Sequence, residues 1–236
     1  MPIQGLEITV LDQPEACPYL PGRTARLPLR MPLERLSPEL FDRRLEEGDR
    51  RSGGFLYKTA CPACQACEPI RLDIAQFTPN SSQLRAWKRG RKLFHLQVQQ
   101  PLVDETRITL FNKHRRERHL AHDRDDIDAV GYEQFLVSSC CETLELSYYL
   151  DDALAMVAIL DRGRSSASAV YTYYDPELTK LSPGVYSVMQ EIELCRQWNL
   201  RYLYLGFYVA GSPHMVYKAT YRPHERRVHD QWQHFV

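Results

Sequence analysis

The chain has 236 residues, 44% of them hydrophobic and 25% charged, and its formal net charge at pH 7 is zero. These values are typical of a globular protein with one large domain or two small ones, and they exclude a scaffold that depends on disulfide bonds. We see neither a basic start followed by an apolar run nor an apolar run of bilayer length, so we expect no signal peptide and no membrane span. We therefore expect a cytoplasmic protein, with no membrane partner, whose seven cysteines stay reduced.

The first third of the chain predicts one helix and two strands. Residues 1–30 are rich in proline and predict irregular structure. Ser37-Pro38-Glu39 is typical of a helix start with Ser as the N-cap, and Gly48 marks the end of that helix. Residues 53–60 and 70–74 predict strands on either side of a cluster of three cysteines. The cluster should therefore lie on a turn between two extended segments, where ligands can converge.

The middle of the chain is basic. A helix is predicted over 82–93, a strand over 94–102, a second helix over 104–122 and an acidic loop over 124–130. Basic residues far outnumber acidic ones through both helices. This pattern fits a surface that binds an anionic ligand and fits two solvated helix faces equally well.

The second half of the chain predicts strands, then a helix, then a strand. Three strand-like runs cover 143–150, 153–161 and 165–174, and short turns join them into an antiparallel meander. A helix with regular apolar spacing follows over 185–199, and a further strand over 202–209.

This order predicts an α+β fold. Three antiparallel strands, a helix and another strand match the core of the acyltransferase fold typified by the GNAT superfamily, a mixed and largely antiparallel sheet with flanking helices. We predict a small cysteine-containing N-terminal domain over residues 1–76 and the GNAT-like domain over 77–236.

Several stretches together resemble one family. They are CPYLPGR (17–23), the cysteine cluster with Pro69 and Arg71, FTPNSSQLRAWKRGRK (77–92), AVYTYYDP (169–176), LSPGVYSVMQEI (181–192) and YLYLGFYVAGSPHMVYKATYRPHE (202–225). In this order they resemble the aminoacyl-tRNA–protein transferases of the N-end rule pathway, and among them the bacterial aspartate/glutamate leucyltransferases most. The resemblance extends over nearly the whole chain.

The resemblance implies a reaction and its partners. Leucine would move from leucyl-tRNA to the α-amino group of a protein that begins with Asp or Glu, and the new N-terminus would mark that protein for degradation. Aminolysis of an ester is downhill, so the chemistry requires no cofactor. An arginyltransferase of the same family and a coenzyme A-dependent acetyltransferase of the GNAT fold are the alternatives, although the stretch before the helix, KLSPGVYS, has a single Gly where the latter needs a glycine-rich loop. A non-enzymatic RNA-binding module is a more distant alternative.

The reaction needs a proton acceptor for the attacking amine and a donor for the developing oxyanion. Polar residues at the end of the third strand, on the following helix and after the last strand are the candidates: Tyr171, Tyr173, Asp175, Glu191 and Lys218. Each also has a purely structural interpretation, as packing, capping or solvation, and Lys218 could equally bind phosphate.

Substrate binding needs cations. Arg23 and Arg71 lie in the family motifs, and an arginine offers a carboxylate two parallel hydrogen bonds, so both are candidates for the acceptor's side chain, with an internal ion pair as the alternative. The candidates for the tRNA backbone are Arg85, Lys88, Arg89, Arg91 and Lys92. Gly90 departs from the family pattern, and a glycine inside a helix predicts a bend or an end there.

The cysteine cluster has two interpretations. Cys61, Cys64 and Cys67 form the first part of a ferredoxin-type run whose fourth cysteine is missing, because Arg71 takes its place. Cys17, from another family motif, could complete a four-cysteine site for structural zinc or an iron–sulfur cluster. Reduced thiols packed in a turn are the alternative.

Overall fold

A computed structural model describes residues 6–118 and 126–236 of the chain. Its helices are α1 (Pro38–Glu46), α2 (Ser81–Leu93), α3 (Glu105–Glu117), α4 (Ala129–Tyr132) and α5 (Pro183–Gln197). Its strands are β1 (Glu7–Leu11), β2 (Pro14–Ala16), β3 (Thr24–Arg26), β4 (Leu29–Pro32), β5 (Arg50–Ser52), β6 (Phe55–Tyr57), β7 (Glu68–Asp73), β8 (His95–Gln99), β9 (Glu142–Leu150), β10 (Ala153–Arg162), β11 (Ser166–Tyr174), β12 (Tyr202–Tyr208), β13 (His224–Val228) and β14 (Gln231–Phe235). No helix in these two ranges is long and apolar enough to cross a membrane.

The large sheet has eight strands in the order β14-β13-β7-β12-β11-β10-β9-β8. The meander β9-β10-β11 is antiparallel as predicted, and β11 and β12 are the one parallel pair among the described strands. The mixed α/β architecture of the prediction is therefore confirmed. Strand β7, from the first of the two predicted domains, lies between β12 and β13 of the second. The boundary at residue 76 stays a prediction.

The large sheet carries a core on each face. Along β10 the side chains alternate, so that Met156 and Ala158 join the core beneath α5, while Val157 and Ile159 join the core beneath α3. Helix α2 packs on the outside of α5. A smaller antiparallel sheet, in the order β1-β4-β6-β5, forms the N-terminal part.

Capping residues set the helix starts that the sequence predicts. The Ser37 hydroxyl accepts the Leu40 N–H in front of α1. Asn80 and Gln83 form a capping box at the start of α2, which satisfies N–H groups that the first turn leaves free. The Asp104 carboxylate caps α3 in the same way.

Gly90 does not end α2, which continues to Leu93, so the predicted end of the helix there was wrong. The physical reason is a close helix–helix contact. A Cβ at this position would lie 2.2 Å from Cδ2 of Tyr186 on α5, so only glycine lets the two helices approach this closely.

Other differences lie where local patterns are weak. The predicted continuation of α3 to residue 122 and the start of the acidic loop at 124 fall outside the described residues. The remainder of that predicted loop contains the start of α4, which a π-helical turn, Glu133–Val137, follows. The C-terminal hairpin β13–β14 and the strands within residues 1–30 were not predicted, because short strands without regular alternation give little signal.

Candidate active site

A cleft opens where β11 and β12 separate. The two strands pair only over Ser166–Ser168 and Tyr202–Tyr204, and beyond that point they diverge around a cavity of about 1130 Å³. Residues from many parts of the chain line it, among them Tyr19, Tyr57, Ala169, Tyr171, Val185, Val188, Glu191, Leu205, Met215 and Lys218. The cavity is large enough for a substrate of several residues or nucleotides and combines apolar walls with a few polar groups.

Two cationic side chains take the place of strand pairing at the base of the cleft. Arg50 Nη2 donates to the Ala169 carbonyl of β11 at 3.0 Å, and Lys218 Nζ donates to the Phe207 carbonyl of β12 at 2.9 Å. Gly206, with φ of 91°, leaves the space that these groups occupy. A Cβ there would lie 3.2 Å from Lys218 Nζ and 3.4 Å from Arg50 Nη2.

Burial lowers the pKa of Lys218. The side chain is 8% exposed, and burial followed by the positive charge of Arg50 lowers the pKa of Lys218 to about 7. Burial likewise lowers the pKa of Arg50.

Glu191 supplies a buried carboxyl group to the same cleft. It lies on α5, is fully buried, and accepts one hydrogen bond, from the Ser187 hydroxyl at 3.1 Å. Its Oε2 has no hydrogen-bond partner among the described residues. Burial raises the pKa of Glu191 to about 8, because water no longer solvates the charged form. This value lies close to that of a peptide's α-amino group, about 7.7–8.

The start of α5 forms another wall. Ser182, Pro183, Gly184 and Val185 line the cleft, and no side chain caps the helix. The first turn of a helix presents N–H groups without intrahelical acceptors, and the helix dipole favours negative charge there.

The predicted catalytic residues do not all reach the cleft. Tyr171, Glu191 and Lys218 line it. Tyr173 packs in the same core beneath α3 that Tyr171 contacts, but it is fully buried there, and its hydroxyl bonds that of Tyr132 at 2.5 Å. Asp175 pairs with Lys113 at 2.8 Å and accepts the Glu177 N–H at the start of a short 3₁₀ helix. Both are held in structural roles that local sequence does not reveal.

Arg23 and Arg71 lie outside the lining of the cleft. Arg23 is exposed on the turn between β2 and β3. The guanidinium of Arg71 stacks between the rings of Tyr202 and Trp232, at 3.8 and 4.0 Å, and its Nε donates to Glu225 at 2.6 Å. Arg71 thus already has a carboxylate partner within the chain, and acceptor binding by either arginine stays a prediction.

The five basic residues predicted to bind tRNA are all exposed on α2. Arg91 stacks 4.7 Å from the ring centroid of Trp87, and Arg89 donates to the Lys180 carbonyl at 3.1 Å. The remaining three, Arg85, Lys88 and Lys92, follow one face of the helix at spacings of three and four residues. The helix therefore presents a continuous basic surface.

The four predicted metal ligands lie in one neighbourhood. Burial and then the nearby thiols of Cys17, Cys61 and Cys64 raise the pKa of Cys67 to about 12. The thiols of Cys17 and Cys61 each accept a backbone N–H, at 3.4 Å. Among residues 6–118 and 126–236, no three cysteine, histidine or acidic side chains are arranged to hold a metal ion. Zinc or iron–sulfur binding stays a prediction.

Sequence reasoning missed Arg50. Its local sequence, GDRRSGG, is that of a solvated turn, and no motif distinguishes it. Its role depends on Lys218, which the fold brings to it from the far end of the chain.

Comparison with known proteins identifies the family of the chain. Family models described as "Arginine-tRNA-protein transferase, N terminus" and "Arginine-tRNA-protein transferase, C terminus" match residues 15–85 and 106–228. The chain belongs to the arginine-tRNA-protein transferase family.

Two relatives indicate the branch. The chain is 37% identical to an aspartate/glutamate leucyltransferase of Chromobacterium violaceum, with 93% of this chain and 90% of that protein aligned. It is 36% identical to one of Thiobacillus denitrificans, with 98% and 96% aligned. The chain is thus similar to enzymes named as leucyltransferases over almost their full length.

Solved structures give weaker similarities. The C-terminal domain of a putative lysylphosphatidylglycerol synthetase from Agrobacterium fabrum overlaps 62% of this chain and 48% of that chain, with a TM-score of 0.49 and 12% identity. A FemX structure overlaps 83% of this chain and 79% of that chain, with a TM-score of 0.44 and 9% identity.

Proposed function

We propose that this enzyme transfers leucine from leucyl-tRNA to the N-terminal α-amino group of proteins that begin with Asp or Glu, and so marks them for degradation by the N-end rule pathway. Membership of the family and the leucyltransferase relatives support this function. The single observation that carries it is the cleft between β11 and β12, which holds a buried carboxyl on one side and buried cations at its base.

The reaction is the aminolysis of an ester. The acceptor nitrogen forms a C–N bond with the leucyl carbonyl carbon, the C–O bond to the ribose breaks, and the amine loses a proton. We assign that proton to the Glu191 carboxylate, because a group with a pKa near that of the amine transfers protons efficiently at neutral pH. The Glu191 carboxyl then gives this proton to the leaving ribose oxygen, so no net proton is released.

Holding the two substrates in the correct orientation supplies the remainder of the rate enhancement. We infer that the apolar side chains Val185, Val188 and Leu205 receive the leucine side chain, and that the uncapped start of α5 faces the phosphate of the terminal nucleotide. Tyr171, at the cleft wall, is our candidate donor to the oxyanion.

We also infer that the second half of the chain is an acyltransferase core of the GNAT type. The antiparallel strands β9, β10 and β11, the helix α5 and the parallel strand β12 follow in the expected order. The limited pairing of β11 with β12 supports this inference, because it opens the sheet where an acyl donor and an acceptor can meet.

The tRNA donor is assigned to the basic surface of α2. Exposed guanidinium and ammonium groups attract phosphates without reading sequence, and this suits an enzyme that must also hold the tRNA body away from its cleft. We propose the cytoplasm as the compartment, because reduced cysteines and aminoacyl-tRNA are both found there.

Radiolabelled donors test the function directly. Purified protein is incubated with leucyl-tRNA, arginyl-tRNA or acetyl-coenzyme A, and with peptides that begin with Asp, Glu, Arg or Ala. We expect leucine on the Asp and Glu peptides only. Transfer from arginyl-tRNA or acetyl-coenzyme A instead would favour those alternatives, and no transfer from any donor would reject the assignment.

A further inference from the structure

Arg50 and Lys218 form a buried cation pair at the base of the cleft. Their residues are 7% and 8% exposed, and each makes one hydrogen bond to a backbone carbonyl. The other contact of Lys218 Nζ is the Met215 sulfur at 3.4 Å, and Arg50 Nη1 is buried without a partner among the described residues.

The chain supplies no anion to this pair. Within residues 6–118 and 126–236, neither side chain has a carboxylate within 4.0 Å. The carboxylate that acts most strongly on Arg50 is that of Asp161, but Asp161 is already held by Arg51 and by Thr143, each at 2.6 Å. A buried like-charge pair without a counter-ion is unfavourable, which is why the pKa of Lys218 is low, and an anion bound beside the pair would favour its charged form.

Lys218 reaches the cleft itself, and Arg50 lies next to it beside Gly206. Lys218, Tyr19 and Tyr57 all line the cavity, and Leu205 lies beside them. The uncapped start of α5, on another wall of the cleft, suits the nucleotide phosphate, so this pair is available for a different anion. A carboxylate, which accepts parallel hydrogen bonds from a guanidinium, fits this chemistry.

One short turn links the pair to Glu191. The 3₁₀ helix Val216–Thr220 carries Lys218, and Tyr221 directly follows it. Burial, Tyr217 and the Glu191 carboxyl all raise the pKa of Tyr221, so Tyr221 and Glu191 are neighbours. Glu191 and Lys218 also line the same cleft, so one ligand can present its amine to Glu191 and its carboxylate to Lys218.

We propose that Arg50 and Lys218 bind the side-chain carboxylate of the acceptor's N-terminal Asp or Glu, and that this contact selects acidic N-termini. The inference rests on the proposed transfer to such acceptors, and it identifies the residues that bind their first side chain.

Leucyl transfer to matched peptides tests this inference. Peptides that begin with Asp, Glu, Asn or Gln are compared in the full-length protein and in Lys218→Met and Arg50→Met, which remove the charge and keep an apolar stem. We expect KM for the Asp and Glu peptides to rise about 10- to 100-fold, KM for leucyl-tRNA to stay unchanged, and the preference for Asp over Asn to fall by the same factor. Lys58→Met, which removes a lysine that pairs with Asp230 at 3.7 Å and does not line the cleft, should leave all of these values unchanged.

Thermal unfolding separates this inference from the proposed function and detects variants that fail to fold. An Asp-starting peptide should raise the Tm of the wild type and not that of Lys218→Met, and the matching Asn peptide should raise neither. If the Asp peptide gave these Tm shifts but no leucine were transferred, the proposed function would be rejected and the proposed carboxylate site would stand. If Lys218→Met still transferred leucine and still preferred Asp to Asn as strongly as the wild type does, the proposed carboxylate site would be wrong and the proposed function would stand. A raised KM for leucyl-tRNA with that preference unchanged would also overturn the proposed carboxylate site, because the pair would then bind tRNA phosphate.

Discussion

Glu191 shows how one buried side chain sets a reaction's pH range. Its carboxyl lies on α5 with a single hydrogen bond from Ser187, and burial raises its pKa to about 8. The acceptor amine titrates near the same pH. Transfer therefore requires two deprotonations with similar midpoints.

Glu191→Gln should remove one of these two deprotonations. For the wild type, we expect log(kcat/KM) to rise below pH 7 with a slope of about two, one proton from Glu191 and one from the free amine. In Glu191→Gln the slope should fall to about one and kcat should drop about 10²-fold. A pH series with an Asp-starting peptide measures both. If the variant kept the slope of two, Glu191 would not be the proton acceptor.

The same carboxyl should make folding stability depend on pH. An unfolded chain ionises Glu191 near pH 4.5, while the folded protein keeps it protonated up to about pH 8, so the folded state binds more protons in this window. The contribution of Glu191 to the free energy of unfolding therefore falls as pH rises from about 4.5 to 8, by about 1.4 kcal/mol per pKa unit. Urea unfolding should show Glu191→Gln gaining stability relative to the wild type across this window. A constant difference between the two proteins would contradict the raised pKa.

Helix α2 joins two functions on two faces. Its inner face packs on α5 through Gly90, and its outer face carries the basic residues assigned to tRNA. The two faces can be tested separately, because loss of packing changes stability whereas loss of charge changes tRNA binding.

The basic face should control tRNA binding and its salt dependence. In Arg85→Ala/Lys88→Ala/Lys92→Ala, KM for leucyl-tRNA should rise, and the slope of log affinity against log salt should become shallower by about one per lost phosphate contact. KM for the acceptor peptide should not change. Arg43→Ala/Arg164→Ala/Arg201→Ala, which removes three exposed arginines elsewhere, is the matched control. An unchanged salt slope in the α2 variant would place the tRNA on another surface.

The inner face should not tolerate an extra methyl group. Gly90→Ala gains about 1 kcal/mol of helix propensity, but its Cβ would lie 2.2 Å from the Tyr186 ring, which stacks on Phe94 at 5.3 Å and has no space to retreat. We expect a net loss of about 1–3 kcal/mol in the free energy of unfolding, measured in urea, with Lys88→Ala on the exposed face changing it by less than about 0.5 kcal/mol. A more stable Gly90→Ala would show that the two helices separate easily.

At the scale of the whole molecule, the eight-stranded sheet joins the beginning and the end of the chain. Strand β7, from the first third, pairs with β12 on one side and β13 on the other. Arg71 of β7 also binds Glu225 and stacks on Trp232, both from the C-terminal hairpin. The cleft also combines distant parts of the chain, because Arg50 and Lys218 come from opposite ends of the sequence.

Residues 77–236 should therefore not fold alone. Without β7, strands β12 and β13 lose the partner between them, and apolar side chains such as Leu203 and Leu205 lose their cover. Circular dichroism and urea unfolding of this fragment should show no cooperative transition, whereas the full chain should show one. A soluble fragment with a cooperative transition would instead support the predicted domain boundary at residue 76.

By itself, the sequence determined the four longer helices, the meander and the family. Caps such as Ser37 and Asn80, the apolar period of α5 and the short turns between β9, β10 and β11 are local signals, and the six ordered motifs identify the family. Tertiary structure alone decided which candidates meet. It brought Glu191 and Lys218 into one cleft, directed Tyr173 and Asp175 elsewhere, and added Arg50, which no motif indicated. The reason is physical: helix caps and apolar periods depend on neighbours a few residues away, whereas burial, ion pairing and shifted pKa values depend on groups that only folding brings together.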